Sequence, residues 1–253
     1  YRSRLDGTGK AERVTPAGSP GHHSYQMSAD AKWAIHTYNN STTPNRISLV
    51  YLPENKETKL LEDNRELKAK YDKLGLRPKE FFRVDIGGEQ LDAFMIKPAN
   101  FDPAKKYPML MFVYGGPGSQ QVLNSWGGSN MMWHQMLANE NGYIIACVDN
   151  RGTGARGAAF KKITYKQMGK FESDDQIAAA MYFGGQSYID ATRIGIWGWS
   201  YGGFMSSTCL MKGADVFKAA IAVAPVTNWR YYDNIYTERY MQLPSTNAAG
   251  YDD

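Results

Sequence analysis

The sequence predicts an α/β fold with a mostly parallel sheet, preceded by a short all-β stretch, and three observations carry that prediction. Apolar runs of strand length alternate with helix-compatible segments from Met109 onward, at the spacing of βαβ units. One run, Arg193–Trp199, ends in Gly198-Trp199-Ser200-Tyr201-Gly202-Gly203 and leads into a helix-compatible segment, Phe204–Met211. Before residue 60, only short strand-like runs separated by turn residues occur.

Taken in order, Asp6-Gly7-Thr8-Gly9 carries a tight hairpin signal, and Pro16–Gly21 reads as a loop. Ser24–Met27, Trp33–Tyr38 and Ile47–Leu52 read as short strands, the last closed by Pro53. So few strands cannot bury both faces of a sheet, and the abrupt start predicts the tail of a larger all-β domain. Residues 58–77 are charged and helix-permissive, and predict a helical link ending near Gly75 and Pro78. A hairpin follows: Phe81–Ile86, the turn Gly87-Gly88, and Leu91–Lys97. Met109–Tyr114 and Tyr143–Val148 read as buried parallel strands, with a helix around Met131, Met132, Met136 and Leu137 between them. A long helix through Ile177–Phe183 precedes the Arg193–Trp199 strand, and Ala219–Ala224 reads as one more buried strand. The expected boundaries are 1–60 for the β remnant, 61–80 for the link and 81–253 for the α/β part.

Composition sets limits. With 43% hydrophobic and 13% aromatic residues, the 253-residue chain can bury a substantial core. Twenty-nine basic and 25 acidic residues leave +4, and the charges are scattered. Lys68, Lys70 and Lys73 are interrupted by Ala69, Tyr71 and Asp72 and read as a solvated helix face, so no nucleic-acid partner is indicated. The longest apolar runs are far too short to span a bilayer. Tyr1-Arg2-Ser3 opens with no basic-plus-apolar leader, which predicts that targeting information is absent or cut away. Cys147 and Cys209 read as buried thiols rather than a disulfide or a metal pair. His22, His23, His36 and His134 offer neither metal-ligand spacing nor an acid/base constellation, and Asp174-Asp175 reads as a solvated or capping pair. No metal or cofactor is expected.

The strand–Gly-x-Ser-x-Gly–helix order is what a nucleophile elbow needs. A serine on such a turn stands clear of the sheet, while the turn leaves little room for side chains at Gly198 and Gly202. The N–H of Tyr201 would then point to where an oxyanion forms. Tyr114-Gly115-Gly116-Pro117-Gly118 ends the strand that carries the rest of the oxyanion hole in an α/β-hydrolase. Trp229, Tyr232, Tyr236 and Tyr240 are spaced three, four and four apart and predict one helical face, which by spacing alone means core packing. No histidine follows Ser200, and the later carboxylates are Asp233, Glu238, Asp252 and Asp253. The usual Ser–Asp/Glu–His order is therefore incomplete here. Two readings stay open: a truncated hydrolase domain, favoured by the abrupt start, or a hydrolase-like domain without the chemistry.

Three blocks carry a resemblance: Val113–Gln120, Gly198–Gly203, and Ala224-Pro225-Val226-Thr227-Asn228-Trp229-Arg230-Tyr231-Tyr232-Asp233 followed by Ile235-Tyr236-Thr237-Glu238-Arg239-Tyr240. They closely resemble the dipeptidyl peptidases of the prolyl oligopeptidase family of serine peptidases. The last block is far more specific than Gly-x-Ser-x-Gly and speaks against a carboxylesterase. The resemblance implies an incomplete α/β-hydrolase domain preceded by the last strands of a β-propeller. It implies Ser200 as the acyl-forming nucleophile, with the Tyr114 hydroxyl and Tyr201 N–H binding the oxyanion. It also implies that Tyr201, Val226, Trp229, Tyr232 and Tyr236 line a pocket for a proline ring, which reverses the spacing-only reading of the aromatic stripe. The triad Asp and His would lie beyond residue 253, and glutamates that hold the substrate's amino terminus before residue 1. The implied activity is release of N-terminal dipeptides with Pro, or Ala, in the penultimate position. Tripeptide release and a non-catalytic binding domain are the alternatives. Peptide substrates, no cofactor, a homodimer of the intact protein and a periplasmic or extracellular location complete the implication. The 253 residues by themselves are expected to be inactive.

Overall fold

The computed structural model describes residues 1–128 and 130–252, so Asp253, one of the carboxylates after Ser200, lies outside it. The described chain forms two units. The first comprises Tyr1–Pro78 and Leu123–Met132. Its frame is an antiparallel sheet in the order β1 (His22–Met27), β2 (Trp33–Asn40), β3 (Thr43–Tyr51) and β4 (Lys56–Glu62). The first three match the expected strands; β4 corrects the expected helix from residue 58. Every side chain of this Lys-Glu-Thr-Lys-Leu-Leu-Glu run is exposed, so composition suggested a solvated helix, but pairing with β3 satisfies its backbone instead. The helix is confined to α1 (Arg65–Asp72), which buries no residue.

The expected hairpin at Asp6–Gly9 is a turn closed by one Arg2–Glu12 bridge. Asp6 accepts from the Thr8 N–H and hydroxyl at 2.9 and 2.7 Å, satisfying the turn locally. Pairing of β1 with β2 brings His23 Nδ1 to 2.8 Å from His36 Nε2, a contact that sequence spacing hides. Residues 123–128 are tied into this unit by the Trp126 N–H donating to Asn39 and the Ser41 N–H donating to Asn124.

The second unit comprises Lys79–Val122 and the chain from Trp133 onward. Its elements are β5 (Glu80–Ile86), β6 (Glu89–Ile96), β7 (Tyr107–Phe112), α2 (Met131–Asn141, from Trp133 in this unit), β8 (Ile144–Val148), α3 (Ala158–Lys162), α4 (Lys170–Gly184), β9 (Ile189–Trp199), α5 (Tyr201–Lys212), β10 (Ala219–Val223), α6 (Asn234–Met241) and α7 (Ala248–Asp252). The six-stranded sheet runs β10-β9-β7-β8-β6-β5. Strands β10, β9, β7 and β8 are parallel, and the β5–β6 hairpin joins antiparallel through β8.

Alternation along the strands gives the sheet two apolar faces. Met109, Met111, Ile144, Ala146, Ile194 and Ile196 share one core with Phe183 of α4 and Met205 of α5. Leu110, Ile145, Cys147 and Trp197 share the other with Ala138 of α2. Buried on that second face, His134 accepts a hydrogen bond from the Trp197 indole at 3.2 Å, and burial pushes its pKa down to about 4. Strand β10 forms where expected, parallel to β9, and within this chain it pairs with β9 alone and has no buried residue.

Candidate active site

Strand β9 ends at Trp199, and the chain turns into α5 at Ser200 with φ 59° and ψ −115°. L side chains rarely take this conformation, which costs roughly 1–3 kcal/mol and persists only where the surroundings enforce it. Here the Ser200 N–H donates to the Val223 carbonyl at 2.9 Å, and the Ser200 carbonyl accepts from the Phe204 N–H at 3.0 Å. A Cβ on Gly202 would run into the Val113 carbonyl, and one on Gly198 into the Val113 and Gly202 carbonyls. The expected crowding around the turn is therefore literal backbone contact. Tyr201 opens α5, so its N–H belongs to the first turn, whose donors have no partner within the helix.

The turn after β7 is laced to the turn after β8. Gly115, at φ 75°, has its carbonyl held by the Asn150 side-chain amide at 3.0 Å, and Asn150 accepts in turn from Gln176 at 2.9 Å. Gly118 donates to the Gly152 carbonyl and Gly154 to that of Ser119, at 3.0 and 2.9 Å. Asp149 accepts from the N–H groups of Gln121 and Val122, while its burial pushes its pKa up to about 6. Below this lies a correction. Asp174 is exposed, but Asp175 is wholly buried, and Arg151 grips it through its side chain at 2.6 and 3.0 Å and its N–H at 2.8 Å. It clamps the β8 turn to α4. These contacts set Tyr114 half-buried, with its ring 5.9 Å from that of Tyr201.

The aromatic stripe does not lie on one helix. Trp229 sits in a 3₁₀ turn, Trp229–Tyr231, and Tyr232 is extended. Asp233 then caps α6, accepting from the N–H groups of Ile235 and Tyr236 at 2.8 and 3.3 Å. That cap ends any continuous helix. The rings gather all the same: Trp229 lies 5.8 Å from Tyr232, 6.0 Å from Tyr236 and 5.5 Å from Tyr201, and Tyr236 lies 4.9 Å from Tyr240. Val226 is buried beside them in the same core. Burial first, then the neighbouring phenols of Tyr114, Tyr240 and Tyr232, pushes the Tyr236 hydroxyl up. Burial, then Tyr232 and Tyr240, does the same to Tyr114. Ser200's neighbour Tyr201, Tyr114, Val226, Trp229, Tyr232 and Tyr236 thus form one neighbourhood of phenol rings and apolar surface.

Sequence reasoning missed Glu172. It is fully buried in the first turn of α4; one oxygen accepts from the Tyr201 hydroxyl at 2.7 Å, the other from the Gly169 N–H at 3.0 Å. Burial outweighs both bonds and pushes its pKa up to about 7. The available signal was a Glu three residues after the helix's N-cap position, where such a side chain reaches back to the backbone.

The model of the prolyl oligopeptidase family matches residues 129–253. A protein named "Probable dipeptidyl-aminopeptidase B" from Pyrenophora teres f. teres is 40% identical over 255 residues, covering 100% of this chain and 28% of that protein. Its namesake from Emericella nidulans is 39% identical with the same coverage. The crystal structure of Porphyromonas gingivalis dipeptidyl peptidase 4 superimposes with a TM-score of 0.88 at 47% identity, over 92% of this chain and 33% of that one. The chain belongs to the prolyl oligopeptidase family. Its second unit is α/β and matches the family's hydrolase domain. It spans 28% of the length of these curated family members. Within that span the chain carries the elbow, the Gly-Gly-Pro turn and the aromatic cluster, and no histidine beyond Ser200. Among the described residues, no helix is long and apolar enough to cross a membrane.

Proposed function

We propose that the chain is part of a serine exopeptidase that releases N-terminal dipeptides with Pro, or Ala, in the penultimate position. The observation that carries this reading is Ser200 on a strained strand-to-helix turn, joined through Tyr201 to the cluster of Trp229, Tyr232 and Tyr236. In this reading the Ser200 hydroxyl attacks the carbonyl of the penultimate residue, and its proton passes to a general base. The oxyanion accepts hydrogen bonds from the Tyr201 N–H and the Tyr114 hydroxyl. Protonation of the leaving amine yields an acyl-enzyme on Ser200, and water releases the dipeptide. Tyr201, Val226, Trp229, Tyr232 and Tyr236 line the pocket for the proline ring. The coverage of 28% of the relatives' length supports a longer polypeptide that supplies the triad Asp and His and the carboxylates for the substrate's amino terminus. Residues 1–60 are then the close of a β-propeller, 61–80 the link and 81–253 the start of the hydrolase domain. A homodimer of the intact polypeptide belongs to the same reading.

The test is the full-length polypeptide on Gly-Pro-p-nitroanilide. Release of the chromophore is expected, with kcat falling on the order of 10⁴ to 10⁶ in Ser200→Ala. A wild-type polypeptide that cleaves no such substrate, or removes only tripeptides, overturns the reading.

A further inference from the structure

Glu172 takes no step in the chemistry above, yet it touches the elbow from a site without solvent. A buried carboxylate is costly unless its lone pairs are well used. Both oxygens are used here, one on Tyr201 at the start of α5 and one on Gly169 at the start of α4. The Tyr201 ring that it holds is closely bounded. Trp229 and Phe204 stand 5.5 and 5.4 Å away. A Cβ on Gly116 would come within 3.0 Å of the Tyr201 ring and 2.7 Å of the Tyr114 ring. A ring enclosed this way passes any displacement to Tyr114 on one side and Trp229 on the other.

We propose that Glu172 is a positioning residue of the active site: its carboxylate ties the Tyr201 phenol to the first turn of α4 and so fixes Tyr201 between Tyr114 and Trp229. The inference rests on the proposed peptidase reading. A carboxylate is required because two donors converge on it. A glutamine in its place offers one acceptor and one donor, so either the Tyr201 hydroxyl or the Gly169 N–H loses its partner. The other ionisable groups facing it are Asp175 on its own helix, the Cys209 thiol of α5, and the Tyr201 and Tyr236 phenols.

Full-length wild type, Glu172→Gln, Tyr201→Phe and the double variant are compared on Gly-Pro-p-nitroanilide, alongside thermal unfolding. Glu172→Gln is expected to lower kcat about tenfold, less than the loss of an oxyanion donor because the donor is displaced, not removed. KM should hold, since every ring of the pocket is still present and the displaced group acts on the oxyanion. The unfolding temperature should stay well above that of the assay, since one unpaired buried donor costs only a fraction of a domain's stability. Tyr201→Phe should lower kcat similarly, and the double variant no further than the worse single one. Full kcat in Glu172→Gln, losses that multiply, or a kcat loss that merely tracks a lower unfolding temperature overturns the role. Should Glu172→Gln not fold, undiminished kcat in Tyr201→Phe overturns it. A wild type without peptidase activity would instead sink the functional reading.

Discussion

The elbow and the aromatic wall reach their geometry by opposite routes. From Trp197 to Gly203, backbone meets backbone, and the positions of Gly198 and Gly202 have no space for a single added carbon. From Val226 to Tyr240 the backbone is irregular, passing through a 3₁₀ turn, an extended residue and a capped helix, while the rings hold one another at 4.9–6.0 Å. Some of its apolar side chains stay open, with Tyr231 88% and Ile235 78% exposed. The place of Ser200 is thus all-or-none, whereas the wall is a set of separable surfaces.

The sharpest way to break this contrast is Gly202→Ala in the full-length polypeptide. The new methyl group would meet the Val113 carbonyl, forcing the end of β7 away from α5. The expected cost exceeds about 3 kcal/mol, beyond ordinary overpacking. Insoluble protein, or soluble protein with a lowered unfolding temperature and no turnover, is the anticipated outcome. A soluble variant with wild-type kcat would show that the elbow is as forgiving as the wall. Next in size is Tyr114→Phe, which keeps the ring against Tyr201 and deletes the hydroxyl. It should lower kcat roughly 10²- to 10³-fold with KM nearly constant, as for one lost oxyanion donor. Unchanged kcat dismisses the hydroxyl.

The contrast also explains what could be read from residues alone. The elbow was legible because its requirements are local: strand, serine and glycines lie within a few positions. The aromatic cluster was legible as a set but not as a shape, because Asp233 reads as one more polar residue until its side chain caps α6. Long-range partners left no trace. Asp175 looks like its exposed neighbour Asp174 until Arg151, 24 residues earlier, closes on it, and Glu172 finds Tyr201 29 residues later. Strand β4 was hidden for the converse reason: all its side chains face solvent, and only pairing with β3 makes it a strand.

On the wall the effects should be smaller and divisible. A pocket of this kind separates Pro from Ala by lost apolar contact, about 10- to 200-fold in kcat/KM. Tyr236→Ala removes the ring that touches Trp229, Tyr232 and Tyr240, and should erode most of that preference while leaving kcat on Ala substrates near wild type. Parity between Pro and Leu substrates in the wild type would show that these rings are only core.

The smallest effect tests whether the wall depends on backbone at all. Asp233→Ala deletes the cap that accepts from Ile235 and Tyr236, leaving the first N–H groups of α6 without that partner. Losing an N-cap costs about 1 kcal/mol. An eight-residue helix has little stability of its own to absorb it. Tyr236 enters the wall from the first turn of that helix, so fraying should show as a Pro-over-Ala preference reduced about fivefold, the factor that 1 kcal/mol represents. Asp233→Asn, which can still cap, should restore the preference. The elbow is held by separate bonds from Ser200 to Val223 and Phe204, so kcat on Ala substrates should not move. If it falls in step with the preference, the wall and the elbow are one mechanical unit, and the separation argued from their geometry is wrong.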